Sequence, residues 1–152
     1  MKDIQLNKLI GEVPTVSYSI GQLDKLINQQ LTEILQVLGV SLPQFTMLSI
    51  LYLNGEMANS KLASRSLISP QASNQIIKTM AEKGWVSKSN DPNHGRIILI
   101  GLTDEGKDIY WQCRDKAICF EQKILDGLPP ENILMLKATI QRIIMNSKHL
   151  NQ

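Results

Sequence analysis

The sequence predicts a mainly α-helical protein carrying one small β-hairpin, and three observations support this. Apolar residues recur at steps of three and four over most of the chain, the period of an amphipathic helix. Residues that start and stop helices bracket those stretches: Ser41, Ser69 and Thr103 at beginnings, Gly39 and Gly84 at ends. Between Trp85 and Leu102, two short apolar, β-rich runs flank the turn-rich segment 90–95, which is the pattern of a hairpin.

Residues 1–12 mix charge and apolar character without a clear period and predict an extended arm or a short helix. Over 15–38, Val16, Ile20, Leu23, Ile27, Leu31, Ile34 and Leu38 form one stripe of a long amphipathic helix ended by Gly39. Gly21 inside it costs about 1 kcal/mol against alanine. It marks either a close helix crossing or a tolerated imperfection. Ser41 with Gln44 is a capping box, and Phe45, Leu48, Leu51 and Tyr52 carry the stripe on to the turn signal Asn54-Gly55.

A short helix over 59–67 should turn Leu62, Ala63, Ser66 and Leu67 inward and Lys61, Ser64 and Arg65 outward. Small Ala63 and Ser66 then let the next helix approach closely. That next helix starts at the cap Ser69 with Pro70 in its first turn, where a missing N–H costs nothing, and closes at Gly84. Ala72, Ile76, Ile77 and Met80 define its apolar face; Gln71, Asn74, Gln75, Lys78 and Glu82 lie opposite. The outward face is amide-rich and nearly free of acid, a surface able to present amides to base edges in a major groove, though a plain solvated helix would also look this way. A helix pair followed by a hairpin with Arg96 near its tip is a winged helix-turn-helix arrangement. After the hairpin, Thr103-Asp104-Glu105 starts a helix to about residue 126. It has one stripe of Ile109, Cys113, Ala117, Phe120 and Ile124 and a second of Trp111, Ile118 and Leu125. Two apolar faces need two partners. Pro129-Pro130 opens a last helix whose apolar side is Ile133, Leu136, Ile140, Ile143 and Ile144.

Composition bounds the function. A chain of 152 residues, 43% hydrophobic and 20% charged, suits one soluble domain with a sizeable core. It has no run of about 18 apolar residues to span a membrane and no export signal, so the cytoplasm is the expected location. The net charge is only +2, but its distribution is uneven. Within 58–101, Lys61, Arg65, Lys78, Lys83, Lys88 and Arg96 stand against Glu82 and Asp91, a local balance of +4 where the helix-turn-helix and hairpin fall. His94 and His149 join no cysteine pair, phosphate loop or metal spacing, so neither an enzyme nor a cofactor is expected. Cys113 and Cys119 sit six residues apart on one helix and point about 120° apart, too divergent for a bridge. Cys113 is read as core, and Cys119 has no cation cluster to lower its pKa.

Taken together, Leu62-Ala63, Ser69, the helix end from Met80 to Gly84, Trp85-Val86, Asp91-Pro92 through Arg96, Leu102-Thr103 and Gly106 resemble the multiple-antibiotic-resistance-regulator (MarR) family of bacterial transcription factors. The likeness extends over nearly the whole chain beyond the first dozen residues. It implies one MarR-like domain over 1–152, with a winged helix-turn-helix DNA-binding lobe at 41–102 set between dimerisation helices at 13–38 and 104–149. The implied partners are a second copy of the chain, a pseudo-palindromic double-stranded operator, and a small aromatic or anionic effector that nothing in the sequence identifies. The implied activity is transcriptional repression, with no membrane partner. Ser69, Gln71, Asn74, Gln75 and Lys78 on the recognition helix, Lys61, Ser64 and Arg65 on the supporting helix, and Asn93, His94 and Arg96 on the wing are the expected DNA-facing residues. Gln71, Asn74 and Gln75 would read bases; because amides pair bidentately with adenine, A·T content is expected in each half-site. The wing departs from the family's aspartate-x-arginine: His94-Gly95-Arg96 keeps the arginine and replaces the acid, and a protonated imidazole there would repel the guanidinium. The rival reading is a winged helix serving as a protein-interaction or ligand-binding module without DNA.

Overall fold

A computed structural model describes residues 15–93 and 95–149. Expectations for the first dozen residues and for His94 lie outside this range. In order, the elements are α1 (Val16–Gln36), α2 (Leu42–Asn54), β1 (Met57–Ala58), α3 (Asn59–Arg65), α4 (Pro70–Glu82), β2 (Val86–Asn90), β3 (Ile98–Leu102), α5 (Asp104–Ile124) and α6 (Pro130–His149). The protein is therefore mainly helical with a small antiparallel sheet, as its residue pattern requires. The chain divides into two compact units at Ala117–Ile118. Among the described residues no helix is long and apolar enough to cross a membrane.

In the first unit the helix boundaries follow the capping chemistry. Thr15 caps α1 by accepting the Tyr18 N–H at 3.3 Å. At Ser41 both halves of the box form: Ser41 Oγ accepts the Gln44 N–H at 3.3 Å, and Gln44 Oε1 accepts the Ser41 N–H at 2.9 Å. Helices α1 and α4 close alike. Val40 N–H bonds to the Leu35 carbonyl and Gly39 N–H to that of Gln36; Trp85 repeats this with Met80, and Gly84 with Ala81. The geometry needs a left-handed residue, and Gly39 (φ 68°) and Gly84 (φ 75°) supply it without a Cβ clash.

The sheet order is β1-β3-β2. The expected hairpin pairs Val86 with Leu102 through to Asn90 with Ile98. Strand β1 was not expected: two residues are too few to show alternation, and only the pairing of Met57 with Ile100 and Ala58 with Leu99 defines it. Leu35, Met47, Leu48, Leu62, Ile77, Met80 and Cys113 form the driest part of the core, each large side chain contributing roughly 1.5–3 kcal/mol.

Several inward-facing expectations change. Ala72 is exposed and Ser73 is fully buried in its place, because Asn59 satisfies the serine hydroxyl. Leu67 is 92% exposed rather than inward, since α3 ends at Arg65 and Leu67 takes a left-handed turn (φ 56°). Leu35, outside the expected stripe, is the buried residue of α1, whereas Val16, Ile20 and Leu23 at its other end remain exposed. Tyr110 and Gly106 join Cys113 as the buried positions of α5, with Tyr110 stacked on Tyr52 at 4.2 Å between ring centroids. A Cβ on Gly106 would lie 1.9 Å from the Trp85 carbonyl oxygen, so the start of α5 can seat against the head of β2 only with glycine there.

In the second unit, Ile118, Phe120 and Leu125 are half-buried and α6 buries no residue. Leu134, Met135, Leu136, Ile140, Ile144 and Met145 are all exposed.

Candidate nucleic-acid interface

Helix α4 presents the expected polar face. Ser69 caps it by accepting the Ala72 N–H at 3.2 Å, and Pro70 occupies the first turn. Ser73, Ile77 and Met80 anchor the inner side, leaving Gln71, Asn74, Gln75, Lys78 and Glu82 exposed on the outer one.

Polar contacts of three side chains fix where that face points. Gln44, buried by its capping role, donates from Nε2 to Thr79 Oγ1 at 3.2 Å, tying the start of α2 to the second half of α4. Lys83 Nζ donates to the Gly39 carbonyl at 2.7 Å, linking the end of α4 to the end of α1. At the other end of the helix, Asn59 of α3 accepts the Ser73 hydroxyl on Oδ1, donates from Nδ2 to Asn74 Oδ1 at 2.9 Å, and approaches the Pro70 carbonyl at 3.4 Å. Leu62 and Ala63 of α3 are buried, the inward orientation that their spacing predicted.

On α3, Lys61 and Ser64 are exposed as expected. Arg65 is exposed too, but its guanidinium donates to Asn54 Oδ1 at the end of α2, so part of its donor fork is already engaged. Ser66 is half-buried, and its hydroxyl has no partner among the described residues.

The wing is held at its root by the β2–β3 ladder. At its turn, Asp91 N–H donates to the Ile97 carbonyl at 2.8 Å, and Asp91 Oδ1 accepts the Asn93 N–H at 2.8 Å, the aspartate turn that its side chain favours. Asn93 and Arg96 are exposed. Arg96 and Lys88 from the wing, Asn74 from α4 and Asn59 and Ser60 from α3 line one cleft of about 310 Å³. Asn74 of the polar α4 face and the two wing cations thus border the same cleft. Its shape suits a strip of polyanion with amides on one bank and cations on the other.

Sequence reasoning missed Asn59 and Lys88 as members of this constellation. Asn59 gives no local signal, because its partners lie 11 to 15 residues away. The alternation of β2 would have placed Lys88, had the register with Ile100 been known.

Of the cysteines, Cys113 is fully buried, and burial pushes its thiol up from near 9 to about 11. Cys119 is exposed. Among the described residues no cluster of histidine, cysteine or carboxylate could hold a metal ion.

Comparison with known proteins follows the same outline. The MarR family model matches residues 40–98, the segment from the foot of α2 to the first residue of β3. An uncharacterised helix-turn-helix transcriptional regulator of Bacillus subtilis, YsmB, is 23% identical over 137 residues, covering 90% of this chain and 94% of its own. The Mycobacterium tuberculosis helix-turn-helix repressor Rv2887 is 24% identical over 128 residues, covering 84% and 92%. Among solved structures, a mutant MarR from E. coli complexed with operator DNA superposes with a TM-score of 0.75 at 21% identity, covering 90% of this chain and 96% of that one. CouR from Rhodococcus jostii RHA1, bound to p-coumaroyl-CoA, does so with a TM-score of 0.77 at 17% identity, covering 86% and 92%.

Proposed function

We propose that this chain is a DNA-binding transcriptional regulator of the MarR family, acting as a homodimeric repressor on a pseudo-palindromic operator that it releases on binding a small effector. The observation that carries the reading is the shared groove: the exposed amide of Asn74 on α4 and the cations Lys88 and Arg96 flank one cleft. Gln71, Asn74 and Gln75 would face base edges, Ser69, Lys78, Lys61, Ser64 and the free donors of Arg65 would take phosphates, and Arg96 with Asn93 would follow the adjacent minor groove.

The homodimer is supported by apolar surface left uncovered in each unit: Val16, Ile20 and Leu23 on α1, and Leu136, Ile140 and Ile144 on α6. Faces of that kind are buried in stable proteins, and a two-fold axis repeats one recognition helix at a second half-site about 34 Å away. The effector reading draws on two structural neighbours, NadR in complex with 4-hydroxyphenylacetate and CouR with p-coumaroyl-CoA. A ligand of that aromatic, anionic class would act by favouring one spacing of the two recognition helices.

Selection of bound duplexes from a random library, followed by a shift assay against salt, tests the proposal. A palindromic consensus and a loss of affinity of about 10³-fold or more between 50 and 200 mM salt are expected if the dimer makes six or more phosphate contacts. Failure to retain any duplex at low salt would favour a protein-interaction module instead.

A further inference from the structure

Asn59 does more than pack α3 against α4. Its amide is oriented by groups with fixed polarity. The Pro70 carbonyl can only accept, so the Asn59 edge facing it must be Nδ2, and Oδ1 then receives the buried Ser73 hydroxyl. The same Nδ2 donates to Asn74 at 2.9 Å, which requires Asn74 to offer it an oxygen. The orientation passes from a backbone carbonyl, through one amide, to the next. Asn74 is left with its oxygen engaged and its Nδ2 hydrogens without an acceptor among the described residues.

We propose that Asn59 is a specificity-determining residue: it holds Asn74 as a hydrogen-bond donor, so that Asn74 reads a major-groove acceptor rather than pairing bidentately with adenine. This rests on the DNA-binding reading above and deepens it. A free asparagine matches adenine because it gives one hydrogen bond to N7 and takes one from N6. An asparagine whose oxygen is turned toward Asn59 has one of its two lone pairs engaged there, so the group it offers outward is its NH₂ and the second half of that match is weakened. Adenine still offers N7, but flanked by the N6 donor, so the NH₂ fits better the bases whose acceptor edge carries an exocyclic oxygen, guanine through O6 beside N7 or thymine through O4. Gln71 and Gln75 have no such restraint among the described side-chain hydrogen bonds, so the polarity is imposed at one position of the half-site and not at its neighbours.

The test is to invert the polarity. Asn59→Asp presents only acceptors. It still receives the Ser73 hydroxyl, but Asn74 must now turn its Nδ2 toward the carboxylate and free its oxygen. Random-duplex selection with the unaltered protein should show guanine or thymine at one half-site position. With Asn59→Asp the same position should change to cytosine or adenine, whose N4 and N6 groups donate, by about fivefold or more in relative affinity. The added negative charge should weaken binding to all sequences alike. With Asn74→Ala, alone or combined with Asn59→Asp, that position should lose its preference. Should Asn59→Asp not fold, the unaltered protein gives the answer by itself. Replacing the preferred guanine by 2-aminopurine, or the preferred thymine by 5-methyl-2-pyrimidinone, deletes the acceptor and should weaken binding about fivefold. An unchanged base in Asn59→Asp, or indifference to the acceptor-deleted analogue, would overturn the assignment while leaving operator binding intact. Retention of no duplex by the unaltered protein would remove the DNA-binding reading and this inference with it.

Discussion

The winged-helix lobe and α6 both carry periodic apolar residues, yet they treat them in opposite ways. In the lobe, Met47, Leu48, Leu62, Ile77, Met80 and Ile100 are nearly or wholly withdrawn from water. On α6, Leu136, Ile140 and Ile144 keep the same spacing and stay 40% or more exposed, and no residue of the helix is buried. Hydrophobic periodicity therefore says which face of a helix wants to be covered, not which molecule covers it. A stripe that the described residues of its own unit leave bare marks a surface still open to a partner.

The largest expected effects lie in the lobe. Leu62→Ala, at a fully buried position, should cost roughly 2–5 kcal/mol. Gly106→Ala should cost about 3 kcal/mol, because its Cβ meets the Trp85 backbone, which cannot yield as a side-chain tip can. Chemical denaturation measures both, and a change below 1 kcal/mol in either would mean the lobe core is looser than described.

The two cysteines sharpen the contrast. Cys113 belongs to the core of the first unit and Cys119 lies exposed in the second. Because burial raises the folded Cys113 thiol to about 11, the unfolded chain gives up its proton first as pH rises past 9. Its contribution is therefore complete below pH 9 and is lost between about 9 and 11, on the order of 2 kcal/mol. Cys113→Ser should flatten that part of the stability profile. Thiol titration of the folded protein near neutral pH should modify Cys119 and spare Cys113.

For α6 the prediction concerns association. Ile140→Glu should leave the denaturation midpoint of dilute protein within about 0.5 kcal/mol of the original and raise the dimer dissociation constant about tenfold or more. Sedimentation equilibrium reads the second quantity. A variant that dimerises normally but unfolds early would place Ile140 in an intramolecular core.

Gly21→Ala carries the smallest effect. Among the described residues a Cβ there meets nothing within 4 Å, so they make no close crossing at that glycine. Replacement should stabilise α1 by roughly 0.5–1 kcal/mol. A loss of stability instead would indicate a second chain approaching the helix at that glycine.

What could be read from the sequence was local chemistry. The box at Ser41 and Gln44, the Ser69-Pro70 start of α4, the two closing glycines and the turn of the hairpin all depend on groups within a few residues of one another. The polar face of α4 followed from its period. What escaped reading depends on partners distant in sequence. Ser73 looks solvent-facing until Asn59 supplies its acceptor. Strand β1 exists only through β3. Arg65 looked free to meet phosphate until the fold brought Asn54 beside it. Leu67, an apolar residue counted inward by its spacing, is turned out by the end of the helix itself. The candidate interface was visible as a list of side chains, whereas the amide network that orients them was not.

The most direct test of the central claim, that the amide face of α4 reads base edges, is a salt titration of operator affinity for the triple variant Gln71→Ala, Asn74→Ala, Gln75→Ala against the unaltered protein, each on a selected duplex and on a scrambled one. None of the three residues carries charge, so the slope of log affinity against log salt should stay the same while discrimination between the duplexes falls by at least about tenfold. Undiminished discrimination with the amides removed would contradict the account.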